Sequence, residues 1–457
     1  MSPVRELNEH ERRIKEIFRN IYRTQVWVSI EELEDIRTPQ ELEERRMVAK
    51  LNVMTMDMLE YDESYFREDS DQRPAGYRPY FYSYLIYMDA QSDHRKLVKL
   101  REMVTRWFIA EFRRRYSEGW DEYEGTVESS ASPVIFRDRK IYISDTTLNP
   151  AILRRIHAGY PVAKASDDKV AGEHLKILLE DVHFTSTRIY NVGNGNLICL
   201  SGNRLKNRLG NRLGNLPGDS FKMMFDVGYH QRSHPGGSRT KYGAAVRSFK
   251  KVIPDAVVLS HWDNDHIMGC VYAPKELFEC PWIAPEIVKK NAVGAKRLAA
   301  YLTVKDKLTI VRRDSVDRKL VEIKNPDSEI TFYVGANKQY ILSKENCGGI
   351  LIEIKNRKNG KRTESLFSGD APYKAVKNVV WAPRTEGYDN LIVPHHGSNM
   401  DFSALKVKKD AAAIVCGDGT TGRPCASHKK ELESGKSGYK VTITGEMTHF
   451  CKDLDLG

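Results

Sequence analysis

Val257-Val258-Leu259-Ser260-His261-Trp262-Asp263-Asn264-Asp265-His266 is the stretch on which the architecture of this 457-residue chain turns. Its apolar, β-branched start reads as a buried strand, and the metal-binding side chains His261, Asp263, Asp265 and His266 follow directly. A strand that ends this way delivers its ligands to one rim of a sheet. His261 and Asp263, at alternate positions, can face one point, while the adjacent pair Asp265-His266, at the turn into a helix, reaches a second point nearby. That layout suits two cations.

Each apolar run that follows also ends in polar residues of the same kind. Ser365-Leu366-Phe367-Ser368-Gly369-Asp370-Ala371 closes on Gly-Asp, and Asn390-Leu391-Ile392-Val393-Pro394-His395-His396-Gly397-Ser398 closes on His-His-Gly-Ser. Upstream, Lys222-Met223-Met224-Phe225-Asp226-Val227-Gly228 closes on Asp-Val-Gly, preceded by Asn191-Val192-Gly193-Asn194-Gly195-Asn196. Taken in order, these motifs resemble the metallo-β-lactamase superfamily over residues 185 to 450. Within it they resemble the soluble domain of competence-type DNA-uptake channel proteins, marked by Asp-Val-Gly-Gln-Gly-Asp, Ser-His-x-Asp-x-Asp-His, Gly-Asp-Ala and Pro-His-His-Gly-Ser. The chain departs from the pattern in two places. No histidine lies between His266 and His395, so Asn346 is the nearest polar candidate for that slot, and Asn194 and Asn196 stand where the branch has Gln or Asp.

The resemblance implies an α/β fold, an αββα metallo-β-lactamase sandwich over residues 181–457, and two divalent ions, manganese first and zinc second on ligand hardness. In the expected scheme Asp370 bridges the ions, His261 and Asp263 serve one, and Asp265, His266 and His395 serve the other. Asp265, Asp370 and His396 are then the catalytic residues, His396 as a partner of a ligand or as proton donor to the leaving oxygen. Asp226 and Asn346 are expected to support ligands without binding metal. Arg204, Arg208 and Arg212, in a repeated Asn-Arg-Leu-x stretch, are expected to clamp substrate together with Asn194, Asn196, Ser398 and His428. Only 24 residues separate Asp370 from His395, too few for the extra domain of the branch that processes RNA ends.

The net charge is +10, unevenly spread. Residues 1–180 carry 29 basic and 33 acidic side chains, and the remainder 43 and 29. A cationic half around a metal cluster favours a polyanion, so nucleic acid or a nucleotide is the expected substrate class. Hydrolysis of a small ester, lactone or cyclic nucleotide, and a binding or scaffold protein of weakened chemistry, are the alternatives. No apolar run approaches a membrane span, the start Met-Ser-Pro-Val-Arg-Glu lacks a signal-peptide core, and the seven cysteines are dispersed, which together read as cytoplasmic.

Residues 1–180 read as a separate, mainly helical domain that serves self-association or a protein partner, as in an accessory or defence-type effector. Helical spacing runs from residue 5 to 24. Ser29 with Glu32, and Thr38-Pro39 with Glu41, resemble capping boxes, the second opening a helix from 39 to about 60. Residues 80–87 suit a strand or a buried helix, and 93–116 a helix. Arg113-Arg114-Arg115 and the nearby tyrosines are candidates for touching nucleic acid. His230 and His234 read as a substrate loop rather than ligands.

Overall fold

The computed structural model describes residues 9–36, 46–66, 73, 76–89, 94–104, 106–112, 119–129, 139–205, 220–229, 238–288, 292–313, 318–335, 349–381, 385–398, 400–419, 423–434 and 438–457. Its helices are α1 (Glu9–Asn20), α2 (Met56–Phe66), α3 (His94–Met103), α4 (Pro150–Ala158), α5 (Asp168–Leu179), α6 (Ser238–Phe249), α7 (Asn264–Ile267), α8 (Val293–Val304), α9 (Tyr373–Val376) and α10 (Ala426–Glu433). Among the described residues no helix is long and apolar enough to cross a membrane.

The chain divides into two compact units. The first is built chiefly from residues 1–163 and 289–306, so α8 belongs to it although its neighbours in sequence do not. Here β1 (Val26–Ile36), β2 (Arg46–Met54), β3 (Tyr82–Asp89), β4 (Phe108–Glu111), β5 (Trp120–Ser129) and β6 (Arg139–Thr147) close into a barrel in the order β1-β2-β3-β5-β6-β4. The register puts Val28, Leu51, Tyr84, Tyr123, Ile141 and Ala110 on one face, and all are buried. Phe18 of α1 packs 4.9 Å from the Tyr82 ring. The expectation of a mainly helical domain is therefore corrected. Ser29 lies inside β1, the 39–60 segment supplies β2 before α2 begins, and the 93–116 segment gives α3 and then β4. A capping box is a four-residue signal worth about 1 kcal/mol. Cross-strand pairing and burial of the alternating Ala49, Leu51 and Val53 outweigh it. Tyr80, Tyr82 and Tyr84 are core rings, Tyr82 and Tyr84 on β3, and Arg113, Arg114 and Arg115 lie outside the described residues.

A buried ion pair ties α8 into this unit. Arg297, from α8, donates through Nε to Asp62 Oδ2 at 2.9 Å and through a terminal nitrogen to the Tyr80 carbonyl at 2.7 Å, while its guanidinium lies 3.8 Å from the Tyr80 ring centroid. Asp62 also accepts from Tyr77 at 2.9 Å and Tyr160 at 2.6 Å, so its buried charge is fully partnered.

The second unit is an αββα sandwich. One sheet has the order β12-β11-β10-β9-β8-β7-β20, from β7 (Val182–Tyr190), β8 (Leu197–Arg204), β9 (Ser220–Val227), β10 (Ala256–Val258), β11 (Trp282–Pro285), β12 (Leu308–Val311) and β20 (Cys451–Asp455). The other runs β13-β14-β15-β16-β17-β18-β19, from β13 (Arg318–Asn325), β14 (Ser328–Val334), β15 (Ile350–Lys358), β16 (Lys361–Phe367), β17 (Asn390–Ile392), β18 (Ala412–Val415) and β19 (Lys440–Ile443). Strand alternation sorts side chains between layers. Phe225 and Val258 meet Phe367, Ile392 and Ile414 between the sheets, whereas Leu366, Leu391 and Ala413 turn outward to pack with Tyr373, Trp381 and Leu432. Helix α5 belongs to this unit, where Asp168 pairs with Arg318 at 2.5 Å. Strands β9 to β12 are parallel, as are β16 to β19, so in each sheet the loops after these strands gather at one rim.

Candidate metal centre

The rim where β9, β10, β16 and β17 end carries the ligand-type residues. Strand β9 delivers Asp226, with the positive φ of 63° that turns its carboxylate back under the β10 loop. Its Oδ1 accepts from the Ser260 backbone N–H at 2.6 Å, and its Oδ2 accepts from the Ser260 hydroxyl at 2.8 Å and from His266 Nδ1 at 2.7 Å. Asp226 therefore orients a ligand-type histidine through the far ring nitrogen. Trp262 packs beneath the same loop, donating Nε1 to the Pro285 carbonyl at 2.5 Å.

Asp370 follows β16 through Gly369, whose φ of +54° is in the left-handed region. The two carboxylate oxygens of Asp370 face different neighbours. Oδ1 lies 3.1 Å from His266 Nε2 and 3.7 Å from His396 Nε2. Oδ2 lies 3.7 Å from His261 Nε2 and 3.8 Å from His395 Nε2. On the first side His396 Nε2 also lies 3.0 Å from Asp265 Oδ2, and ligand atoms of Asp265, His266, Asp370 and His396 all fall within 4.8 Å of one another. On the second side His261 Nε2 lies 3.6 Å from Asp263 Oδ2. Neighbouring ligand atoms around one four-coordinate ion with ~2.1 Å bonds sit about 3.4 Å apart. The first group has distances of that order, and on the second side the pairs His261–Asp263, His261–Asp370 and His395–Asp370 lie at 3.6, 3.7 and 3.8 Å.

The two histidines after β17 do not take the places expected of them. His396 joins Asp265 and His266, and His395 joins the His261 and Asp263 side. The cause is a turn of three left-handed residues, with φ of 49° at His395, 52° at His396 and 74° at Gly397. It drives His396 into full burial, where Nδ1 donates to the Cys416 carbonyl at 2.8 Å, and leaves the His395 side chain 30% exposed at the mouth.

The donor atoms fit divalent ions. Nε2 of His261, His266 and His396 and Oδ1 of Asp370 are buried and make no hydrogen bond, although carboxylate oxygens lie close. Electrostatics agree. Burial alone would lower the basicity of His266, yet the carboxylates of Asp370, Asp226 and Asp265 hold it well above the usual imidazole range. Burial opposes ionisation of Asp370 and Asp265, but His266 and His396 keep both carboxyls below their ordinary range. The negative charge that retains a proton on His266 is charge that a cation would neutralise.

Four residues expected to hold substrate have other tasks. Arg204 ends β8, away from the rim where Leu197 of that strand meets Val227, and is locked to Asp181 at 2.5 Å while lying over Phe221. His428 is buried. Its Nδ1 donates to the Ser398 carbonyl at 3.0 Å and its Nε2 accepts from the Tyr373 hydroxyl at 2.7 Å, and desolvation lowers its pKa to about 4. It braces the His395–Ser398 turn from behind. Asn194 is buried and accepts from the Asp418 backbone N–H at 2.9 Å. Asn196, also buried, donates its backbone N–H to the Asp265 carbonyl at 3.1 Å and places Nδ2 3.5 Å from His266 Nδ1. Ser398 keeps a buried Oγ with no hydrogen-bond partner. Arg208, Arg212, His230, His234 and Asn346 lie outside the described residues. Ser260, the Cys416 carbonyl and Tyr373 were missed in the sequence, because nothing in one dimension pairs them with the histidines they hold.

No family model matches the sequence, and no curated protein matches it. Among solved structures the chain is similar to CmlA, a diiron β-hydroxylase from Streptomyces venezuelae, at 12% identity over 46% of this chain and 34% of that one, with a TM-score of 0.25. It is similar to MEM-A1, a subclass B3 metallo-β-lactamase isolated from a soil metagenome library, at 12% identity over 47% and 79%, with a TM-score of 0.24. A third similarity is to a diphosphatase from the PhnP family, at 11% identity over 60% and 98%, with a TM-score of 0.27. The chain spans about a third of the length of the hydroxylase. Identities and scores of this size carry nothing about substrate or reaction.

Proposed function

We propose that the second unit is a two-metal hydrolase that cleaves phosphodiester bonds, with nucleic acid as substrate. The observation that supports this reading most directly is the division of Asp370, one oxygen toward His266 and His396 and the other toward His261 and His395. In that reading Asp265, His266 and His396 would hold one ion, His261, Asp263 and His395 would hold the other, and Asp370 would offer one oxygen to each side. Two such ions supply a nucleophile near neutral pH and neutralise charge at attacking and leaving oxygens. The left-handed turn places His395 and His396, and Trp262 and Leu259 are buried beside the ligand-bearing loop. Four imidazoles, three carboxylates and no thiolate make a borderline set, which favours manganese or zinc.

The substrate class rests on charge, since the cationic excess of the chain lies beyond residue 180. The dispersed thiols fit a cytoplasmic protein, and a partner-regulated defence effector is the setting we infer for it. The test is incubation of purified protein with manganese or zinc and labelled single- and double-stranded DNA and RNA. Cleavage that disappears in Asp265→Ala is expected. No cleavage of any substrate by the wild type would overturn the nuclease reading.

A further inference from the structure

We infer that Ser260 is a positioning residue that extends the orienting carboxylate of Asp226 to the second metal position, so that one buried charge sets the tautomer of a ligand histidine on each ion. This inference rests on the two-ion reading. Ser260 Oγ lies 2.8 Å from Asp226 Oδ2 and 3.0 Å from His261 Nδ1, and all three residues are buried. Its single proton has one productive destination, the carboxylate oxygen, which leaves its lone pairs to accept from His261 Nδ1–H. His266 Nδ1–H donates to the same Asp226 oxygen directly, at 2.7 Å, the shorter of its contacts because Ser260 Oγ stands at 3.2 Å. The proton count closes. His261 donates to Ser260, Ser260 donates to Asp226, and His266 donates to Asp226.

With Nδ1 so engaged, Nε2 is the nitrogen each imidazole has toward Asp370 to give to a cation, and those are atoms that lack a hydrogen bond. The asymmetry makes the arrangement informative. His266 is held by a carboxylate and His261 by a hydroxyl that borrows the same carboxylate. Loss of the Ser260 hydroxyl leaves His261 Nδ1–H buried and unpaired, and the ring regains its other tautomer, in which Nε2 carries the proton and cannot bind metal. His266 keeps its anchor. Loss of the Asp226 charge removes both.

The test is equilibrium titration of the metal-free protein with manganese alone, and separately zinc alone, read as stoichiometry and stepwise affinity. The wild type, Ser260→Ala, Ser260→Cys and Asp226→Asn are compared, with metal-free melting temperature as the folding control. Two ions are expected in the wild type. Ser260→Ala should weaken one by about 10- to 100-fold and leave the other within about threefold, whereas Asp226→Asn should weaken both by about 10-fold or more. Ser260→Cys, which keeps a weak donor and acceptor, should fall between and reads the effect even if the alanine variant fails to fold. Equal weakening of both ions in the Ser260 variants, or no weakening, overturns the inference while the two-ion reading stands. A wild type that binds fewer than two ions overturns both.

Discussion

Gly369→Ala is expected to disable the metal centre, and a second glycine separates the two reasons why. At Gly369 the backbone φ is +54°, and an added Cβ would lie 2.5 Å from Ser260 Cβ and 2.6 Å from Ser260 Oγ. Real carbon contacts lie near 3.5 Å, so Ser260 or the Gly369-Asp370 peptide must move by about 1 Å. Left-handed backbone costs a non-glycine residue about 1–2 kcal/mol, and overpacking adds about 1–3 kcal/mol. The predicted destabilisation is therefore about 2–5 kcal/mol. A displacement of ~1 Å among positioned groups costs about 100-fold in rate. Gly360, in the turn between β15 and β16, has a φ of +74° with nothing within 4 Å of an added Cβ. Gly360→Ala thus carries the backbone cost without the collision, about 1–2 kcal/mol and no effect on metal content. The assay is melting temperature, bound metal per chain and phosphodiester turnover of both variants side by side. Gly369→Ala with wild-type metal content and turnover would refute the reasoning, as would equal damage from Gly360→Ala.

Two predictions concern the first unit. Arg297→Leu should destabilise it by about 3–5 kcal/mol, because Asp62, at 1% side-chain exposure, loses its cation. Adding Asp62→Asn should restore part of that loss, and additive costs in a denaturation cycle would contradict the pairing. His10 is buried against the Tyr61 hydroxyl at 2.7 Å, and desolvation lowers its pKa from 6.5 to about 4. Its neutral form is the one that folding accommodates, so its contribution is complete above about pH 6.5 and is lost as pH falls toward 4, about 3 kcal/mol in all. His10→Gln should flatten that part of the melting-temperature profile, and an unchanged slope would count against it.

The legible parts of this molecule are those encoded by local runs. Strands β9, β10, β16 and β17 were visible as apolar segments closing on polar residues, and the polar residues at their ends do converge, since parallel strands bring their ends to one rim. Strands β1 and β2 were not visible. Their residues carry short capping patterns, and what makes them strands is pairing with partners that lie distant in sequence. Arg204, first of the repeated arginines, reads as a substrate clamp until Asp181 is seen beside it.

By itself, then, the sequence determined the sandwich class, the kinds of side chain gathered at its rim and the cationic bias of that half of the chain. Tertiary structure alone decided which histidine faces which side of Asp370. The adjacent His395 and His396 are chemically identical, and only the left-handed turn at 395–397, braced by the Cys416 carbonyl and His428, sends one inward and holds the other at the mouth. The Ser260 link between Asp226 and His261 is of the same kind. A hydroxyl before a histidine is ordinary in a sequence and acquires a direction only when another strand sets a carboxylate beneath it.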